Sequence, residues 1–334
     1  MLKPKISILV PIYNVEKYIE RCAVSLFEQT YDNIEYVFVN DCTKDNSIHV
    51  LEDVISRYPH REQSTIIVNH EKNRGLAAAR NTGMANSTGE FISHVDSDDY
   101  MEHNAVELLV NQQIELGADI VTGMALMHTQ DKEVLLPHPH YRNKEEMVLY
   151  MMQPSSCHSI WCRLIRKSLY EQHDLSAMEG VNYAEDCWVM TRLSYFASSF
   201  SFVDEVVYHY DCTRDSSYMA INRGGINKKL IKDVIFTADK LIDFFKDKEQ
   251  VYYEKATQEA AKFIEYNLRS ASRAGDSELF DDLLARLKAF DKRYWPAMGW
   301  NHGIKRVLSQ NYYSCRVMDF FMRVYYKLES YKYK

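Results

Sequence analysis

Phe91-Ile-Ser-His-Val-Asp-Ser-Asp-Asp99 is the stretch that decides the fold class. A short apolar run passes straight into three carboxylates within four residues. In an open parallel sheet, ligands bind just outside the carboxyl ends of the strands, so this is where polar groups are expected to gather. The same change from apolar to polar occurs three times upstream. Ile6-Ser-Ile-Leu-Val10 runs into Pro11, Ile12, Tyr13 and Asn14. Glu35-Tyr-Val-Phe-Val39 runs into Asn40, Asp41, Cys42 and Thr43, and Thr65-Ile-Ile-Val68 runs into residues 69–75. Helical stretches separate these runs. Residues 15–29 place Ile19, Cys22, Ala23 and Leu26 on one helical face. Residues 46–58, 75–85 and 102–116 read as the following helices, and Asp119-Ile-Val-Thr122 as a fifth strand. This alternation predicts an α/β fold, a mostly parallel sheet with helices on both faces. Strands that are apolar throughout suit burial on both sides.

The alternation stops near residue 150. Residues 155–211 mix short strands and helices, and helical patterns follow over 225–247, 251–274, 277–290 and 304–328. Gly275-Asp276 and Trp295-Pro296 mark breaks. The expected organisation is an α/β domain over 1–220 and a helical C-terminal region over 221–334. A length of 334 residues agrees with about two domains. The net charge of −7 gives no basic footprint for nucleic acid, and 46% apolar residues are too many for a disordered chain. The seven cysteines are odd in number and scattered, as expected for reduced thiols in the cytoplasm. No leader-like or membrane-spanning apolar run is present.

The carboxylates after residue 95 repel one another unless something positive lies among them. Oxygen ligands of this kind suit Mg²⁺ or Mn²⁺, which bind through one or two carboxylates and substrate phosphates. Asp98 or Asp99 as the cap of the next helix is the competing reading. Neither G-x-G-x-x-G after a strand nor G-x4-G-K-[ST] occurs, which disfavours a dinucleotide-binding dehydrogenase and a P-loop NTPase.

Five stretches together resemble the inverting glycosyltransferases of family 2, which have the GT-A fold, a Rossmann-like sheet for nucleotide-diphospho-sugars. They are Val10-Pro-Ile-Tyr-Asn14, Val39-Asn-Asp-Cys-Thr-Lys-Asp-Asn-Ser47, Asn73-Arg-Gly-Leu-Ala-Ala-Ala-Arg-Asn81, Val95-Asp-Ser-Asp-Asp-Tyr100 and Tyr183-Ala-Glu-Asp-Cys-Trp188. The likeness runs from residue 5 to about 218. It implies that Pro11, Tyr13 and Asn14 border the nucleoside and that Asp41 meets the uracil ring. Asn73, Arg74, Gly75 and Arg80 fall in the segment that borders base and phosphates. Asp96 and Ser97 lie near ribose and metal, Asp98 is the direct metal ligand of the D-x-D motif, and Asp186 is the catalytic base. Arg214 and Ser216 or Ser217 stand where related enzymes contact the diphosphate. His209 stands near a histidine that some relatives place on metal or phosphate; a hydrogen-bonded strand histidine is the competing reading.

The chemistry accounts for these residue types. A leaving nucleoside diphosphate gathers negative charge, which a divalent ion and arginines neutralise. An acceptor hydroxyl needs a carboxylate to take its proton. Attack opposite the leaving group inverts the anomeric centre and needs no second, nucleophilic carboxylate. The implied donor is a UDP-sugar, and the implied acceptor is a surface glycan, free or lipid-linked. A binding protein without turnover and a sugar nucleotidyltransferase are the rival classes. Asp211 is a departure, because many relatives carry arginine near that position. By residue type alone, Glu185-Asp186 reads as a solvated pair at a helix start, and Trp161 and Trp188 as core residues. Residues 301–334 hold seven basic and two acidic residues, with apolar and aromatic side chains at helical spacing. That pattern suits a peripheral contact with the inner face of a membrane, or docking on the α/β domain or a second copy of the chain.

Overall fold

The computed structural model describes residues 3–137, 141–153, 158–213 and 226–294. They form two compact units, one holding the strands and the helices between them and the other Met152 and Gln153 with the helices from Lys228 onward.

The first unit is built on a nine-stranded sheet. β1 (Ile6–Ile12), β2 (Ile34–Asn40), β3 (Thr65–Asn69) and β4 (Phe91–His94) are parallel, in the order β3-β2-β1-β4. α1 (Ile19–Phe27), α2 (Ser47–Arg57) and α4 (Leu76–Ala85) lie between them in sequence, with α3 (Pro59–Glu62) as a single turn. Alternation along the strands sends side chains to opposite faces. Ile6, Ile8, Val10, Tyr36 and Phe38 pack with Cys22, Leu26 and Leu51 of α1 and α2. Leu9, Val37 and Val39 pack on the other face with Ala77 and Ala79 of α4. The expectation of an α/β sheet covered on both faces is met.

The sheet continues in a way that alternation did not announce. β5 (Tyr100–Met101), α5 (Ala105–Leu116), β6 (Ile120–His128), β7 (Glu133–Leu136), α6 (Lys144–Met151), β8 (Arg163–Arg166), α7 (Lys167–His173), α8 (Glu185–Phe196) and β9 (Phe200–Asp211) complete the unit. Beyond β4 the order is β8-β6-β9-β5, with β7 on β6. β8 is antiparallel to β4 and β6, and β5 is antiparallel to β9. Tyr100 and Met101 form a short strand just before the helix expected from residue 102, and that helix begins at Ala105, after Asn104 at its N-cap position. The fifth strand runs six residues past Thr122, through a register shift against β9. Gly123 permits that shift, because a Cβ there would collide with the Val207 side chain.

The second unit has α9 (Lys228–Phe245), α10 (Gln250–Ala274) and α11 (Ser277–Ala289). Ile231, Ile264, Leu268, Phe280 and Leu283 form its apolar core. The break read at Gly275-Asp276 is a helix joint: Gly275 has φ of +79°, and the Asp276 side chain accepts from Leu279 N. Residues 304–334 lie outside the described residues. No described helix is long and apolar enough to cross a membrane.

Candidate functional site

The loops at the carboxyl ends of β1 and β2 are stitched together. Asn14 adopts a left-handed φ of +54°, and its N–H donates to Thr43 Oγ1 at 2.8 Å. Glu16 N donates to Asp45 Oδ2 at 2.9 Å, and Val15 N to Ser47 Oγ at 3.0 Å. Pro11 is half-buried at the strand end, whereas the Tyr13 ring stands 41% exposed on the rim. An exposed aromatic on an otherwise ordered turn is a platform on which a planar base can stack.

Asp41 is buried and holds the turn after β3. Its Oδ1 accepts from Arg74 N and its Oδ2 from Gly75 N, both at 2.8 Å, and Oδ1 lies 2.7 Å from His70 Nδ1. Asn73 Nδ2 donates to the Asp41 carbonyl at 3.3 Å. Gly75 has φ of +88° immediately before α4, a conformation that side chains disfavour. Arg74 reaches Glu179 with Nη2 at 2.8 Å. Asp41 thus has structural partners on both oxygens. One lone pair on Oδ2 is left for a further donor.

The loop after β4 is anchored from two sides. Asp99 is fully buried; it accepts from Tyr208 Oη and from Asp211 N, each at 2.8 Å. Burial, reinforced by the charge of Asp96, pushes its carboxyl well above the usual range. From α1, Arg21 Nη2 donates to the Asp98 carbonyl at 3.0 Å and to Asp211 Oδ2 at 2.6 Å, and its guanidinium lies 4.5 Å from the Tyr100 ring centre. The acidic residue at 211 is therefore half of an ion pair. Burial would raise the Asp211 carboxyl, but hydrogen bonds from Thr213 and Arg21 outweigh this and lower it. Asp98 and Ser97 are buried at the head of the loop. Since α5 begins at Ala105, with Asn104 at the N-cap position, Asp98 and Asp99 lie too far upstream to cap it.

Arg80, on α4, is buried beneath this loop. Its Nη2 donates to Asp96 Oδ1 at 2.9 Å and its Nη1 to Glu185 Oε1 at 2.8 Å. Glu185 and Asp186 occupy the first turn of α8, after Ala184 with φ of +64°. Glu185 is buried, so the pair is not the solvated one that residue type alone suggested. Burial first, and then Asp186, raise the Glu185 carboxyl to about 8, although Arg80 pulls it down. Asp186 is half-buried, and its Oδ1 accepts from Cys187 N at 2.8 Å. Arg80, Asn81, His94, Glu185 and Asp186 line a small cavity with Met84, Ile160, Leu175, Ala177 and Val189.

His209 faces Tyr100 across the β5–β9 pair and stacks on it at 4.3 Å between ring centres. Its Nε2 meets Glu102 at 2.7 Å and its Nδ1 meets His128 Nε2 at 2.9 Å. This is the hydrogen-bonded strand histidine, with both ring nitrogens engaged. Trp161 is buried and stacked on Tyr208 at 4.7 Å, a core position. Arg214, Ser216 and Ser217 lie outside the described residues.

Among the described residues, no three His, Cys, Asp or Glu side chains converge into a cage that could hold a metal. The donor set still fits a hard divalent ion shared with phosphate, for which one or two carboxylates suffice. Among the described residues, Asp96, Asp98, Asp211 and Asp186 gather near Arg21 and Arg80, a carboxylate-rich surrounding that suits a cation.

Sequence reading did not find Arg21, Glu179 or Tyr208. None stands in a motif, and each reaches the site only through long-range folding.

Comparison with known proteins identifies the family and the architecture. Residues 7–174, half of the chain, match the model of Glycosyl transferase family 2. The putative glycosyltransferase EpsH of Bacillus subtilis is 32% identical over 217 residues, 63% of this chain and 61% of EpsH. The match thus spans about three fifths of that relative's length. Among solved structures, residues 1–349 of S. aureus TarS in complex with UDP-GlcNAc superpose with a TM-score of 0.62 at 19% identity, covering 87% of this chain and 82% of that one. The mannosyltransferase PcManGT of Pyrobaculum calidifontis, in complex with GDP-Man and Mn²⁺, gives a TM-score of 0.55 at 17% identity over 96% and 88%. These two likenesses show the GT-A architecture.

Proposed function

Because the chain belongs to glycosyl transferase family 2, we propose that it is an inverting, metal-dependent glycosyltransferase. It moves a sugar, a hexose or an N-acetylhexosamine, from a UDP-sugar to a hydroxyl of a surface glycan or lipid-linked glycan. The observation that carries this reading is the approach of two groups of carboxylates, Asp96–Asp98 after β4 and Glu185–Asp186 at the start of α8, joined through Arg80.

Each residue has a place in that reaction. The Tyr13 ring and the turn held by Asp41 receive the uracil base, with Pro11 and Asn14 shaping the pocket edge. Asn73, Arg74 and Gly75 border the base and ribose. Asp98 and Asp96 would hold Mn²⁺ or Mg²⁺, with Ser97 between them. Such an ion supplies Lewis-acid neutralisation of the departing diphosphate. Arg214 and Ser216 are the proposed diphosphate contacts. Asp186, at the edge of the cavity, accepts the proton of the acceptor hydroxyl as it attacks. UDP is the nucleotide proposed because TarS, the solved structure above, is complexed with UDP-GlcNAc. The basic aromatic stretch 304–334 is proposed to bring the enzyme to the inner membrane face, where a lipid-linked acceptor would lie.

The test is calorimetric titration with UDP and with GDP, each with and without Mn²⁺. UDP binding that requires the metal, and is lost in Asp98→Ala, is the expected result. Metal-independent binding, or unchanged binding in Asp98→Ala, would overturn the metal assignment. A preference for GDP would overturn the donor.

A further inference from the structure

Arg80 does more in this structure than border a nucleotide. It is 6% exposed, and its two terminal nitrogens serve carboxylates on different elements, Asp96 after β4 and Glu185 at the start of α8. Its Nε has no hydrogen-bond partner, so the guanidinium is oriented by these two acids. A planar fork of fixed geometry sets the position of one carboxylate relative to the other. Three acids, Asp96, Glu185 and Asp186, raise the pKa of Arg80 despite its burial, and it stays charged throughout.

Resting on the reading of Asp96 and Asp98 as the metal side and Glu185–Asp186 as the acceptor side, we propose that Arg80 is a positioning residue that joins the two. Through it, positive charge arriving with the donor is felt at the acid pair before an acceptor hydroxyl is attacked. A cation beside Asp96 draws on the carboxylate that otherwise shares Arg80 with Glu185. The guanidinium then acts more fully on Glu185 and favours its ionised form. The charged groups around Glu185 are Arg80 on α4, Asp186 on its own helix and Asp96 after β4. His94 of β4 lines the same cavity; burial and Arg80 lower its pKa to about 3, so it stays neutral. Burial among these groups weakens screening by salt and preserves the coupling.

The experiment is titration of the full chain with Mg²⁺–UDP at pH 7.5, in two buffers of different ionisation enthalpy. The difference in heat gives the protons released. With the Glu185 carboxyl near 8, a displacement of about one unit releases about half a proton. Wild type is expected to release about half a proton more than Glu185→Gln, which controls for protons lost by UDP itself. Arg80→Lys keeps the charge but not the fork, and is expected to bind Mg²⁺–UDP with that extra release reduced. A residue that only supported the fold would change the melting temperature without changing proton release. Equal release in wild type and Glu185→Gln, or full release in Arg80→Lys, would overturn the proposal. If Arg80→Lys does not fold, the Glu185→Gln comparison decides alone. No Mg²⁺–UDP binding by wild type would overturn the proposed function itself, an outcome distinct from binding without extra release.

Discussion

The two halves of the sheet hold their parts of the site by ties of different range. In the parallel half, β3-β2-β1-β4, neighbouring loops are tied by hydrogen bonds between segments about one βα unit apart. Asn14 to Thr43 spans 29 residues, and Asp41 to Gly75 spans 34. In the mixed half, β8-β6-β9-β5, the ties are charged or fully buried and cross the whole unit. Arg80 to Glu185 spans 105 residues, Asp99 to Tyr208 spans 109 and Arg21 to Asp211 spans 190. The lesson is a division of labour. Mostly short-range ties, several of them to the carboxylates of Asp41 and Asp45, shape the proposed nucleotide rim, and long-range ties assemble the groups proposed to handle metal and proton. Damage to the first should therefore appear in nucleotide affinity with or without metal, and damage to the second in rate, pH dependence and metal-dependent binding.

The largest expected effect lies in the mixed half. Asp186→Asn should lower transfer by about 10²–10⁴-fold, the range for loss of a general base, while UDP affinity stays within about twofold. UDP release from a UDP-sugar beside a calorimetric titration checks both. A parallel loss of UDP affinity would erase the distinction between the halves.

The next effect sharpens the comparison from the other side, because the parallel half also contains a buried carboxylate with a charged partner away from the rim. Burial would raise the Glu35 carboxyl, but Lys5, Ser7 and Thr88 hydrogen-bond to it and bring it down to about 2. A depressed carboxylate stabilises the fold fully above its unfolded value near 4.5, and this is lost as pH falls toward 2. The loss should reach about 3 kcal/mol between pH 5 and pH 2. Thermal unfolding across that window should show it, and Glu35→Gln should flatten the curve.

Asp41→Ala would leave Arg74 N, Gly75 N and His70 without their acceptor. It should cost about 1–3 kcal/mol of stability and about tenfold in UDP affinity. A normal affinity would mean that the turn after β3 does not depend on Asp41. The smallest effect is expected for Tyr208→Phe, which removes only the hydroxyl shared by Asp99 Oδ2 and Asp96 N. A loss of about 1–2 kcal/mol, with a change in metal-dependent UDP binding but none in metal-free binding, would locate its influence on the acidic loop.

Much of the parallel half was legible, because a βα unit is local. Apolar runs of strand length, helical spacing and polar strand ends all lie within a few tens of residues. The mixed half was not. Tyr100-Met101 is too short to announce a strand, and it exists as one only because β9 pairs with it. The extension of β6 past Thr122 depends on Gly123 meeting Val207, a contact between segments far apart in the chain. Within the site, the residue types at 41, 96, 98 and 186 could be read, but their partners could not. Asp41 could be read as a base contact, but not as the acceptor that holds Arg74 N and Gly75 N in the turn after β3. Asp211 looked like a missing positive charge and proves to pair with Arg21.

The sequence by itself determined the fold class, the family and the chemical character of the strand ends. Periodicity and residue type are properties of neighbours, and neighbours suffice for them. Only the tertiary structure decided which carboxylates share an arginine, which are buried, and which are tied to main chain. Those properties depend on distance and solvent exclusion between segments 100 or more residues apart. Burial also raises Glu185 to about 8, a value that no local pattern encodes.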